Sequence, residues 1–95
     1  MKESQLQAQV IKYLKHKGCY VIKTSPGAGT PAGCPDIIAL LEGCWMAIEC
    51  KASSRSKYQP LQRETLDKLD QWGWAKTVHP QNWGEIKEEL EVFIG

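Results

Sequence analysis

Charge of a single sign is scarce in this chain. Twelve Lys and Arg stand against eleven Asp and Glu, a formal charge of +1. Bulk charge therefore neither coats nucleic acid nor draws the chain to an anionic surface. No apolar run approaches the roughly 20 residues a membrane helix needs, which excludes a helical span. Nothing at the start reads as a secretory leader. None of the four cysteines, Cys19, Cys34, Cys44 and Cys50, is two residues from another, so neither a zinc knuckle nor a redox pair is written here. Four reduced thiols are expected, because a chain with this much aliphatic core needs no disulfide scaffold. Histidine is sparse too. His16 sits in a basic helix end and His79 precedes Pro80, and neither belongs to a metal-ligand arrangement. The glycine-rich stretch from Ser25 to Thr30 has no Lys followed by Ser or Thr and no helix after it, which excludes a phosphate loop.

What is present describes one small domain over residues 1–95. The 95 residues are 42% hydrophobic and 24% charged, with four tryptophans, enough for one core with little to spare. Leu6, Val10 and Leu14 recur at helical spacing between Ser4 and Lys17, and Gly18 is placed to end that helix. Cys19 to Thr24 reads as a strand and Ser25 to Pro35 as a loop. Asp36–Leu41 and Trp45–Lys51 read as a hairpin around Glu42 and Gly43. Ala52 to Gln59 is a polar loop. A helix is expected over Pro60–Trp72, with Leu66, Leu69 and Trp72 on one flank, and Gly73 closes it. Trp74 to Val78 is a further strand, and Asn82 is placed to cap a last helix. The order is α-β-β-β-α-β-α, an α/β fold with a mixed central sheet flanked by helices on both faces. Trp72, Trp74 and Trp83 fit either the core or a subunit interface.

The chemistry concentrates at the ends of the hairpin strands. With a period of two, Glu49 and Lys51 share a face with Trp45 and Ala47, opposite Met46, Ile48 and Cys50. That strand is apolar on both sides, so charges at its end must be paired or hold a metal. Hairpin pairing brings Asp36 to the same end. Two carboxylates held close repel unless a proton or cation intervenes. An all-oxygen environment favours Mg²⁺ or Mn²⁺ over zinc. Such an ion polarises a phosphodiester and lowers the pKa of water. Lys51 then orients the attacking water or stabilises charge on the phosphate. The plainer alternative is a Glu49–Lys51 ion pair with Asp36 as a loop cap. Glu3 and Gln7 begin a helix-one stripe that continues into Val10 and Leu14, which offers Glu3 as a further ligand; a frayed, solvated first turn is the alternative.

The distribution of charge adds a partner. From Cys50 to Arg63 there is no acid, while Lys51, Arg55, Lys57 and Arg63 are basic. Arg55, Lys57 and Arg63, with Lys23 before the glycine-rich loop, are candidate contacts to DNA phosphates. No base-reading element is present, so shape selectivity is expected in place of sequence selectivity.

Read together, Glu3-Ser-Gln-Leu-Gln7, Gly33-Cys-Pro-Asp36, Ile48-Glu49-Cys-Lys51 and Gln59-Pro-Leu-Gln62 give the chain a resemblance to the virus-type replication-repair nuclease (VRR-NUC) domain, a branch of the PD-(D/E)xK nucleases. The resemblance runs from residue 3 to about 79. It implies a restriction-endonuclease-like fold and Mg²⁺- or Mn²⁺-dependent hydrolysis of DNA. It implies Asp36, Glu49, the backbone carbonyl of Cys50 and Glu3 as metal ligands. Lys51 becomes the catalytic lysine, with Gln62 beside it. Compact phage and bacterial versions look like dimeric nucleases of branched DNA akin to Holliday junction resolvases, which implies a homodimer in the cytoplasm of a bacterial or phage-infected cell. The chain's hairpin is short and it carries no accessory DNA-binding region. Against the nuclease stand two alternatives, an inactive DNA-binding module of the same fold and a structural adaptor.

Overall fold

The computed structural model describes all 95 residues. Helix α1 (Glu3–His16) is followed by β1 (Tyr20–Lys23), β2 (Ile37–Leu41) and β3 (Cys44–Cys50), then α2 (Gln62–Trp72), β4 (Trp74–Val78) and α3 (Trp83–Ile94). The expected order is observed, and the topology is restriction-endonuclease-like. The sheet runs β1-β2-β3-β4. The first two pairings are antiparallel, and β3 pairs β4 in parallel through the α2 crossover. No helix is long and apolar enough to cross a membrane.

Alternation along β3 divides the interior. Met46, Ile48 and Cys50 face the main core, where Leu6, Val10 and Leu14 of α1 meet Trp83, Ile86 and Leu90 of α3. Ala47 faces the other way, into a smaller cluster with Leu66 of α2 and Ala75 of β4. All five residues from Met46 to Cys50 are buried, as a strand with neighbours on both edges and helices on both faces requires. The four cysteines are free.

Helix α1 ends as its sequence suggests. Gly18 has φ +89°, its N–H bonds the Lys15 carbonyl, and the Cys19 N–H reaches Leu14. This is the left-handed closure that glycine permits. Gly73 acts differently. Its backbone is extended, and a methyl group there would meet the Trp45 indole at 2.6 Å. The residue therefore ends α2 by making room for a tryptophan.

Several local expectations are corrected. Helix α2 begins at Gln62, two residues after Pro60, because Leu61 takes a left-handed conformation with φ 70°. Asn82 does precede α3, but its side chain turns backward. Its Oδ1 accepts from the His79 N–H at 2.8 Å and its Nδ2 donates to the Thr77 carbonyl at 3.1 Å. It therefore fastens the β4–α3 connection and caps nothing. The tryptophans divide: Trp74 and Trp83 are buried in the core, whereas Trp72 is 69% exposed, so it does not join Leu66 on the packed flank of α2.

Candidate active site

The antiparallel register sets Ile37 opposite Ile48. Asp36 therefore lies just beyond the start of β2, at the end of the sheet where β3 finishes with Glu49 and Cys50. Its Oδ2 accepts the Cys50 N–H at 2.8 Å, which fixes the carboxylate across the gap between the strands. Thr24, just past the end of β1, holds the same corner. Its N–H bonds the Asp36 carbonyl at 2.8 Å, and its hydroxyl donates to the Pro35 carbonyl at 2.7 Å.

Glu49 and Lys51 are buried, at 3% and 7% exposure. The ammonium lies 3.5 Å from Glu49 Oε2. Gln62 joins the two: its Oε1 accepts from Lys51 Nζ at 2.8 Å, and its Nε2 donates to Glu49 Oε2 at 3.1 Å. The same Oε1 accepts the Gln59 N–H at 2.6 Å. The first residue of α2 is thereby turned back into the site, which is why the left-handed residue before it matters.

One oxygen is left over. Glu49 Oε1 is buried and has no hydrogen-bond partner. A buried carboxylate oxygen without a partner is costly. Burial, and next the negative charge of Asp36, push the Glu49 carboxyl up to about 7 against the opposing pull of Lys51. The Cys50 thiol is pushed up as well, first by burial and then by the charges of Asp36, Glu49 and Glu3. It stays a thiol at neutral pH, buried in the main core. Glu3 is exposed on the first turn of α1. Its charge reaches Cys50, yet no group of three His, Cys, Asp or Glu side chains is close enough to hold an ion. The structure thus assembles Asp36, Glu49, Lys51 and Gln62 and leaves Glu3 outside them. Two carboxylates with an unsatisfied oxygen fit a hard divalent cation such as Mg²⁺, which commonly takes one or two carboxylates and keeps several waters.

A cleft of about 340 Å³ opens beside these groups, lined by Thr24, Gly33, Cys34, Asp36, Gln59 and Gln62. Its wall is the glycine-rich loop folded against the start of α2. Gly33 has φ +82°, and a methyl group on it would sit 2.6 Å from the Leu61 carbonyl oxygen. Only glycine allows that approach. A larger concavity of about 650 Å³ lies between α1 and α3, but none of the residues just described lines it.

A family model described as "Archaeal holliday junction resolvase (hjc)" matches residues 2–91. The chain belongs to that family. This corrects the VRR-NUC resemblance, which named a different branch of the same superfamily: the match extends almost from end to end and is to the resolvase. No curated protein and no solved structure matches the chain. Membership makes the chain a nuclease domain of the PD-(D/E)xK type, a class that uses divalent metal ions.

The basic residues singled out from the sequence surround this end of the fold. Lys23 ends β1 opposite Ile37, one residue from Asp36. Arg55 and Lys57 are exposed in the segment leaving β3. Arg63, on the first turn of α2, is exposed and paired with Asp67 at 3.3 Å. Two residues went unnoticed in the sequence. Thr24 anchors the Asp36 corner, as above. Tyr58 lies against Lys51, with the ammonium 5.4 Å from the ring centre. Its signal was a single aromatic in an otherwise polar loop.

Proposed function

We propose that this chain is a Mg²⁺- or Mn²⁺-dependent endonuclease that hydrolyses phosphodiester bonds in branched DNA, four-way junctions foremost. The observation that carries the reading is the unpartnered, buried Glu49 oxygen next to Asp36, with Lys51 and Gln62 bonded alongside. A structural ion pair would have its lone pairs satisfied, since leaving one bare is destabilising. The resolvase family match supports the choice of substrate.

Asp36, Glu49 and the Cys50 carbonyl are the proposed ligands. When bound, the ion supplies Lewis acidity toward a phosphate oxygen and makes water more acidic. Lys51 contributes an ammonium held in place by Gln62, aimed to orient the attacking water or to offset charge growing on the phosphate. Gln62 spans the two groups, accepting from the ammonium and donating to Glu49. Lys23, Arg55, Lys57 and Arg63 bind the DNA backbone on either side of the cut, so affinity falls steeply with salt. The working place of such an enzyme is the cytoplasm.

The test is a cleavage panel of four-way, flapped and linear duplex DNA with Mg²⁺ or Mn²⁺. Cutting of the four-way junction in preference to linear duplex is expected. Junction binding without cutting in either metal would convert the reading to an inactive DNA-binding module.

A junction needs two symmetric cuts, and one domain of this size offers one site, so a homodimer belongs to the same reading. Helix α2 covers β3 and β4, leaving the β1–β2 half of that sheet face open. Tyr20, Ile22 and Leu40 are exposed there; Tyr20 pairs with Leu40, and Ile22 with Ile38. An apolar sheet face of this kind favours a partner. Light scattering is expected to give a dimer for the native protein and a shift toward monomer for Leu40→Glu. A native monomer both with and without DNA would remove the homodimer.

A further inference from the structure

The segment from Lys51 to Leu61 has no regular structure, yet it crosses the site. Tyr58 fastens it. The phenol shares a 2.5 Å hydrogen bond with the Thr77 hydroxyl, and Thr77 is the β4 partner of Glu49 in the parallel ladder. The ring also packs on the Ala47–Leu66–Ala75 cluster. Held at both places, the ring lies 5.4 Å from the Lys51 ammonium and 5.5 Å from the Arg63 guanidinium. An aromatic face attracts a cation at this range, more strongly where water is excluded.

Lys51 has three N–H donors and a long, flexible stem. Gln62 takes one, and Glu49 attracts the group from 3.5 Å. With those two contacts alone the ammonium would drift toward the carboxylate, where it neutralises a proposed metal ligand. A π-face gives it a third, weaker attraction that occupies no lone pair and consumes no strong donor. The same ring lies beside the Arg63 guanidinium, which is exposed and paired with Asp67.

We propose that Tyr58 is a positioning residue for the cleavage reaction: its ring, seated on the Ala47–Leu66–Ala75 cluster, holds the Lys51 ammonium off Glu49 and lies beside the exposed Arg63. This rests on the nuclease reading above. Tyr58 touches no reacting atom and acts through Lys51.

The test compares Tyr58→Leu with Tyr58→Phe on a four-way junction in Mg²⁺. The leucine variant loses the ring and is expected to cut about tenfold more slowly at saturating DNA, with KM changed less than threefold. The phenylalanine variant keeps the ring, and its kcat is expected within threefold of the native value. A readout free of activity accompanies these rates. The Lys51 side-chain methylene resonances, assigned with the help of Lys51→Arg, are expected to be ring-shifted upfield in the native and phenylalanine proteins and to lose that shift in the leucine protein. Melting curves confirm that all three proteins are folded.

An unchanged kcat in Tyr58→Leu overturns the proposal, as does a loss confined to KM. A Lys51 resonance that ignores the loss of the ring overturns it as well. If the native protein cuts no DNA at all, the nuclease reading fails by itself, and the Lys51 resonance still decides whether the ring holds the ammonium.

Discussion

Replacing Lys51 by alanine is expected to lower kcat on a four-way junction by roughly 10²- to 10³-fold, the range typical of removing one transition-state donor, while junction binding changes little. The separation follows from the site's construction. Lys51 is buried behind Gln62 and Glu49, so it contributes little to backbone binding; the proposed DNA contacts are the exposed Arg55 and Lys57. Gel-shift titration without metal measures the binding half, and single-turnover cleavage measures the other. A second effect must be kept apart. Lys51 pulls the Glu49 carboxyl down against burial and Asp36, so its loss drives that carboxyl further up. If protonation of Glu49 were the whole cause, raising the pH to about 9 with excess Mg²⁺ would restore the alanine variant. The expectation is that it does not. Equal cutting by the native and alanine proteins would remove Lys51 from the mechanism.

The second large effect concerns stability without metal. Glu49 titrates from an ordinary 4.5 up to about 7 in the folded chain. The folded state therefore holds this proton more tightly than the unfolded state. The resulting stabilisation is fully present below about pH 4.5 and is lost as pH rises through about 7, where folding must bury the ionised carboxylate. Metal-free protein is accordingly expected to lose urea stability between pH 5 and pH 8 through this group. Glu49→Gln should flatten that decline and be the more stable protein at pH 8. Mg²⁺ should reverse the ranking. It binds the folded native site and adds about 2.7 kcal/mol when present at 100 times its dissociation constant, whereas the glutamine variant gains much less. Urea melts at pH 5 and pH 8, with and without Mg²⁺, measure all four arms. A native protein whose stability at pH 8 ignores both Mg²⁺ and the glutamine substitution would show that the bare oxygen of Glu49 is not built for a cation.

Much of this architecture is written in local periodicity. The β-formers of Ile37–Leu41 and Cys44–Cys50 flank a Glu42-Gly43 turn, and that pattern alone carries Asp36 and Glu49 to one end of a hairpin. Lys51 follows from a period of two. Gln62 was legible only through family likeness. Its placement depends on Leu61 adopting φ 70°, and nothing about a leucine announces a left-handed turn. Tyr58 was missed because its partners, Thr77 in β4 and Lys51 just past β3, lie 19 and 7 residues away, and local pattern cannot bring them together. Trp72 differs from the pattern too: spacing places it on the flank of Leu66 and Leu69, yet it is exposed while they pack on the sheet. The family name misled for a chemical reason. An acid, then Glu-x-Lys, then a helix glutamine states what the proposed metal site needs, and related nuclease branches share that need. Only the pattern over residues 2–91 separates them.

The parallel pairing of β3 with β4 has a corollary. A parallel partner requires a crossover: the chain leaves β3 after Cys50, travels over the open end of the sheet, and returns through α2. Whatever is spliced between Ala52 and Lys57 must therefore emerge beside the carboxylates, yet the ladder and both apolar clusters stay untouched. Lengthening or recharging that bridge would change what borders the carboxylates and leave the sheet as it is.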